Sequence, residues 1–416
     1  MASPDPIKVV VVGGSFGGVS VINQLLSSLR SSKKTVHITL VEKHDARHNN
    51  LGSLRSVADT TYAEKVWIPY TSLFPENSPH RVVKDTLVQV HHHHIVLQSG
   101  ATEPFDYLVL CTGASNPAPA KFRNLSSSAE AIAFTKETHA HISNSKRIVV
   151  VGGGATGFEL SGEIKNAFPD KSVTLIHSTS ALVDYPGFAD KFKAAALRHL
   201  RDELGITVIL NERVNIEGLD RDHSVRVGAT TIHTSSGQAI ESDLQFFTVG
   251  NEVDTSYMST LTPEGAETFD PSSLTEHRKN LIKVRKTQQL DNEAFPHIFA
   301  VGDCTNFVEV PTAVSSETSG SVAGKNLAKL IQASPSTSVE DIRNAVAKAK
   351  LAPAPILPNY MALSTGPSTG VTIMPLFGTS FGNFFSKILK GKDVMISRIN
   401  KDMKVNAKSS RSDPVQ

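Results

Sequence analysis

The apolar positions of this chain fall into short solid runs and longer helical stripes, and their order predicts an architecture. Val9–Val12 is a β-branched run that ends at once in glycines, the pattern of a buried parallel strand entering a tight turn. Ile22, Leu25, Leu26 and Leu29 then recur at helical spacing. A second solid run covers Val36–Val41. Tyr107–Cys111 forms a third, running into Thr112-Gly113. The cycle begins again with RIVVV at 147–151, followed by glycines and by Phe158, Leu160, Ile164 and Phe168 at near-helical spacing. Val173–Ile176, Leu244–Gly250, Ile282–Leu290 and His297–Cys304 read as further strands, and 312–330 as a helix with small residues near its start. Between the two cycles, His80–Val90 and Ile95–Gln98 read as a hairpin.

A strand, a glycine turn and a helix in succession bring backbone N–H groups and the positive end of a helix to one spot, which suits a pyrophosphate. The first turn, Gly13, Gly14, Ser15, Phe16, Gly17 and Gly18, aligns with G-x-G-x-x-G except that Ser15 takes the second glycine's place. The following strand ends in Glu42, 24 residues beyond Gly18, near the spacing of an acid that binds a ribose. In the second turn the motif is intact as Gly152, Gly154 and Gly157. Its second strand ends at His177-Ser178 rather than at an acid, so nothing there repels a 2′-phosphate and either NADH or NADPH is expected. Two such units in one chain predict an α/β fold with two dinucleotide-binding domains. The expected boundaries are 1–115 and 251–332 for the first domain, 116–250 for the second, and 333–416 for a small C-terminal α+β region.

Composition narrows the function. The 416 residues carry 42 Lys+Arg against 40 Asp+Glu, a net charge of +2 that gives no footprint for nucleic acid. Cys111 and Cys304 are the 2 cysteines and form no C-x-x-C, so neither a disulfide framework nor a redox dithiol is expected. His91–His94 invite a metal reading, but neighbours along a strand face opposite ways and cannot all reach one ion; a polar hairpin turn is expected, with no metal. No run is long and apolar enough for a transmembrane helix, and the start lacks a secretory signal. These features read as cytoplasmic. Near the C-terminus, strand-like pieces at Val371–Met374 and Val394–Ile396 flank Phe377, Phe381, Phe384, Phe385, Ile388 and Leu389, with Lys387, Lys390 and Lys392 among them. Such a stripe suits a core-facing helix or, with its lysines, a membrane surface.

The two glycine turns, CTG at 111–113, TVG at 248–250 and VGDC at 301–304 together resemble the two-dinucleotide-binding flavoproteins that use FAD and NAD(P)H. GGGATGFELSGEI, VTLIHS, LSTGPSTGV and KDVMISRINKDM resemble, more narrowly, the apoptosis-inducing-factor-like, ferroptosis-suppressor-type NAD(P)H:quinone reductases. Ala2 stands where some members carry a myristoylated glycine. The resemblance implies FAD contacts from Gly13 to Gly17, Gly113, Arg55, Val82, Gly302 and Asp303, with Asp303 accepting from ribityl hydroxyls. It implies an NAD(P)H pyrophosphate cradle at Gly152, Gly154 and Gly157. Glu159 resembles an acid facing nicotinamide and flavin, and Lys401 a tail lysine near the flavin, both steering protons. The implied activity is hydride transfer from NAD(P)H through FAD to a small-molecule quinone, by a ping-pong scheme in which the quinone takes the nicotinamide's place. An iron–sulfur or monodehydroascorbate-type acceptor, and a non-enzymatic NADH sensor, are the alternatives. Peripheral membrane or mitochondrial association is implied with it; the oligomeric state is not.

Overall fold

The computed structural model describes residues 5–216, 224–307, 310–358, 360–374, 380–381 and 383–404. The solid apolar runs become central strands because both their faces are covered. Ile7–Val12 lies in the middle of a five-stranded sheet, in the order Ile298–Ala300, Tyr107–Leu110, Ile7–Val12, Val36–Glu42 and Arg81–Lys84. All its pairings are parallel. Helix Phe16–Ser28 lies against helix Ala313–Ala333. Their backbones approach closely: a Cβ on Gly320 would stand 2.5 Å from the Gly17 carbonyl oxygen.

The second sheet repeats the scheme with Thr207–Ile209, Ser172–Ile176, Arg147–Val151 and Ala239–Phe247 in parallel, and Val225–His233 antiparallel at the edge. Helix Ala155–Ala167 follows its central strand. The two crossings between the sheets meet where Ser115 pairs with Glu252. A small antiparallel sheet, Met361–Ser364, Gly370–Ile373 and Ser380–Phe381, comes from the C-terminal part. Its Met361, Leu363, Val371 and Ile373 enter the same core as Phe158, Leu160 and Ile164 of helix Ala155–Ala167.

Three expectations change. His80–Val90 is not one strand: the polar Asp85-Thr86 step divides it into Arg81–Lys84, in the large sheet, and Leu87–Val90, in a separate three-stranded sheet. Ile282–Leu290 makes only isolated bridges, because Gln288 at φ 70 folds it back so that Val284 meets Leu290. Val394–Ile396 is not extended: Val394 and Met395 adopt φ 46 and 67, and helix Ile396–Asp402 starts there. The apolar stripe before it divides, with Phe384 and Ile388 exposed and Phe385 and Leu389 half-buried; Phe377 lies outside the described residues. No helix among the described residues is long and apolar enough to cross a membrane.

Candidate functional site

Both glycine turns open on one cavity of about 460 Å³. From the first unit its wall takes Gly13, Gly14, Ser15, Phe16, Gly17 and Glu42; from the second, Gly154, Ala155, Thr156 and Glu159. Gly113, Gly302 and Asp303 line it from the ends of the neighbouring strands. The site thus lies at the carboxyl ends of the parallel strands, where open α/β sheets bind ligands.

The first turn is held by its glycines. Gly13 has φ 98, and a Cβ there would stand 2.3 Å from the Cys111 carbonyl oxygen. A Cβ on Gly18 would stand 1.9 Å from the Gly13 carbonyl oxygen, so Gly18 seats the helix on the strand rather than lining the cavity. Ser15 is the helix N-cap and makes no side-chain cap bond, leaving the helix start for an anion. Glu42 accepts the Gly14 N–H at 2.6 Å. Burial alone would raise its pKa, but hydrogen bonds from His44 and Gly14 outweigh that and hold the carboxyl below its ordinary value. Asp303 accepts from Ser316 Oγ at 3.2 Å and lies 3.9 Å from Lys121 Nζ. The N-terminus of helix Ala313–Ala333, capped by Thr312 and Ser315, faces the same cavity.

The second turn repeats this packing. Gly152 has φ 113, and a Cβ on Gly157 would stand 1.8 Å from the Gly152 carbonyl oxygen. The Tyr185 hydroxyl accepts the Ala155 N–H at 3.1 Å. Beyond it the side chain of Glu159, buried, accepts the Ser364 N–H at 2.7 Å and the Lys390 Nζ at 2.5 Å. This pair also lines a second, more apolar cavity of about 180 Å³, with Leu363, Leu389, Met395 and Ile399. The two cavities share Phe16, Leu51, Glu159, Met361 and Lys390.

The structure gives four of the residues singled out from the sequence other surroundings than expected. Lys401 is exposed and lines neither cavity; the lysine at Glu159 is Lys390, because the turn at Val394-Met395 carries the last helix away. Arg55 faces no glycine turn. Its guanidinium is buried against Glu163, donating at 2.6 and 2.7 Å, and gives its remaining donor to the Gly391 carbonyl at 2.9 Å. Val82 lies on the outermost strand of its sheet, paired with Leu40. His177 does not offer a positive charge: Nδ1 accepts the Gly153 N–H at 2.9 Å and Nε2 meets Thr179 Oγ1 at 2.9 Å. Burial lowers its pKa, and protonation would break the Gly153 bond.

Several wall residues carry no motif and were missed. The Tyr70 hydroxyl donates to the Gly14 carbonyl at 2.9 Å. Lys121, in the connector after Pro119, donates to the Ala114 carbonyl at 2.6 Å. His48 stacks on Trp67 at 4.4 Å, and burial among His44, Lys121 and Lys43 pushes its pKa down to about 3. Lys390 was visible only as one lysine among several. Cys111 lines the cavity and Cys304 lies buried; both are free thiols whose pKa burial raises, so neither is a ready thiolate.

Known proteins share the sequence family and the fold. A family model described as pyridine nucleotide-disulphide oxidoreductase matches residues 7–346. The apoptosis-inducing factor homolog A of Dictyostelium discoideum is 28% identical over 405 residues, covering 94% of this chain and 90% of that one. The human ferroptosis suppressor protein 1 is 31% identical over 309 residues, covering 72% and 74%. Among solved structures, the sulfide:quinone oxidoreductase of Aquifex aeolicus shares the fold, with a TM-score of 0.67 at 15% identity, over 96% of this chain and 91% of that one. Two glycine turns on one cavity, with a carboxylate and two helix starts beside them, fit FAD and NAD(P)H as cofactors. The chain is an oxidoreductase and belongs to the pyridine nucleotide-disulphide oxidoreductase family.

Proposed function

We propose that the chain is an NAD(P)H:quinone oxidoreductase. The observation that carries this reading is the apolar second cavity, which shares the Glu159–Lys390 wall with the dinucleotide cleft. A flat apolar acceptor suits that lining better than a charged one. The FAD, when bound, takes two electrons from NAD(P)H and passes them to the acceptor.

The protein supplies position and protons. The turn at Gly13–Gly17 and the acid Asp303 would hold the FAD, and the turn at Gly152–Gly157 would hold the NAD(P)H. Phe16 and Leu51 give the shared wall an apolar surface. Reduction of a quinone to a quinol consumes NAD(P)H and one further proton from solvent. Lys390 Nζ delivers that proton to a quinone oxygen, and Glu159 Oε1 holds the ammonium in place.

The exposed Phe384 and Ile388, with Lys387 and Lys392 exposed beside them, precede and follow Leu389 of the second cavity. That arrangement supports peripheral contact with a membrane that holds the quinone. The test is anaerobic reduction of the purified flavoprotein by NADH or NADPH, followed by addition of a short-chain quinone. Rapid reoxidation by the quinone supports the reading; a reduced flavin that persists in excess quinone refutes it.

A further inference from the structure

The hairpin turn carries four consecutive histidines, and the structure divides them two and two. His91 and His94 stack on each other at 4.5 Å, and His91 Nε2 meets Gln89 Oε1 at 3.1 Å. His92 and His93 form the other pair, their rings 4.6 Å apart. The alternation of faces holds along a strand, but these two lie in the bend between Leu87–Val90 and His94–Leu97, where neighbours can converge. Glu264, from the segment after Leu261, meets them there. One ligating atom from each of His92, His93 and Glu264 lies within 4.8 Å of the other two.

Both ring nitrogens of His92 are shut off from solvent and make no well-formed hydrogen bond; the Ala294 backbone and the Glu264 carboxylate are their polar neighbours. His92 Nδ1 and Glu264 Oε2 are 3.9 Å apart, too far for a direct bond. His297 supports the bend from beneath. It is fully buried, its ring lies 5.0 Å from that of His92, and its Nε2 donates to the His92 carbonyl at 2.8 Å. None of these residues lines either cavity.

We propose that His92, His93 and Glu264 form a three-ligand site for a divalent transition-metal ion of the zinc type, with water completing the coordination. Two imidazoles and one carboxylate suit zinc and exclude calcium and magnesium, which take oxygen ligands. A tetrahedral ion needs its donors about 3.3 Å apart. The exposed Glu264 side chain can close that distance by rotation. The candidate site is empty here. Filled, it staples the hairpin tip to the segment after Leu261 and stabilises the first domain by binding only the folded chain.

The test uses tag-free, FAD-loaded protein stripped with a chelator and titrated with Zn²⁺ by calorimetry. Co²⁺ serves as a visible-absorption probe. One saturable Zn²⁺ per chain, with a raised Tm, is expected. Glu264→Gln and His93→Ala, each removing a ligand, are expected to lose the saturable binding, while His91→Ala leaves it unchanged. Glu264→Gln alters an exposed side chain, so its fold is checked simply by flavin content and metal-free Tm. No saturable binding in the wild-type protein overturns the proposal. So does equal binding by wild type, Glu264→Gln and His93→Ala, or a loss in His91→Ala as large as that in His93→Ala, which would mark a loose histidine tract.

Discussion

Lys390 Nζ stands 2.5 Å from Glu159 Oε1, across a sequence separation of 231 residues. The pair joins a helix that begins at the second glycine turn to the C-terminal part of the chain, and it faces both cavities. Among the described residues it is the one ion pair that lines both the donor and the acceptor side of the proposed reaction.

Lys390→Ala is therefore expected to lower kcat for quinone reduction by about a hundredfold. Reduction of the bound flavin by NADH in the absence of acceptor stays within a few-fold. Stopped-flow traces of the two half-reactions separate these effects. Lys401→Ala, at an exposed position, is expected to match the wild type in both; a slow second half-reaction in that variant would restore the role inferred from sequence.

The two glycine turns make opposite predictions for cofactor loss. In Gly18→Ala the new Cβ meets the Gly13 carbonyl 1.9 Å away, and in Gly157→Ala it meets the Gly152 carbonyl 1.8 Å away. Backbone must move in both. The first variant is expected to be purified without flavin. The second stays yellow but is not bleached by NADH or NADPH, as absorbance spectra will report.

Arg55 and Glu163 form a buried ion pair in which both side chains are almost wholly enclosed. Arg55→Ala leaves the buried Glu163 with only the Ser364 hydroxyl as a donor, and the Gly391 carbonyl without its own. A loss of about 3–5 kcal/mol in unfolding free energy is expected. Chemical denaturation of the FAD-loaded variant measures it. Unchanged stability with weakened FAD binding would instead mean that Arg55 serves the phosphate.

His48 makes a pH prediction whose sign follows from its lowered pKa, about 3. Unfolded, the imidazole titrates near 6.5. Between those values the unfolded chain binds the extra proton, so stability is complete above about pH 6.5 and falls as the pH drops towards about 3. The neighbouring His44, Lys43 and Lys121 would repel the new charge. Denaturant midpoints across that range are expected to fall less steeply in His48→Gln.

A bulky residue in the second cavity tests the acceptor's route. Leu363→Trp is expected to raise KM for the quinone about tenfold with KM for NADH unchanged. Equal effects on both would place the two substrates in one chamber.

The sequence carried the two dinucleotide units because their signals are local. A solid strand, a glycine that must take positive φ, and a helix stripe lie within twenty residues of one another. The positions of Gly13, Gly302 and Asp303 on one cavity follow from the same logic, since parallel strands end together. Lys390 escaped because nothing near it in sequence says that the backbone reverses at Val394-Met395. Arg55 misled for the complementary reason. Its position suits a phosphate contact, but its partner Glu163 lies 108 residues away on the other unit. Tyr70, Lys121 and His48 occupy loops whose course is set by tertiary packing, where residue spacing is silent.

Adjacent residues in the tail grip adjacent turns of one helix. Lys390 takes Glu159, while the carbonyl of Gly391 takes the arginine that neutralises Glu163. One acid thus takes its counter-charge from this dipeptide, and the other has the arginine that neutralises it held in place there. A chain shortened ahead of that dipeptide would keep every glycine of both nucleotide cradles and the Arg55–Glu163 pair, and still leave Glu159 without its ammonium partner. The last stretch of polypeptide is in this sense part of the electrical insulation of the enzyme, as integral to its working as the motifs that open it.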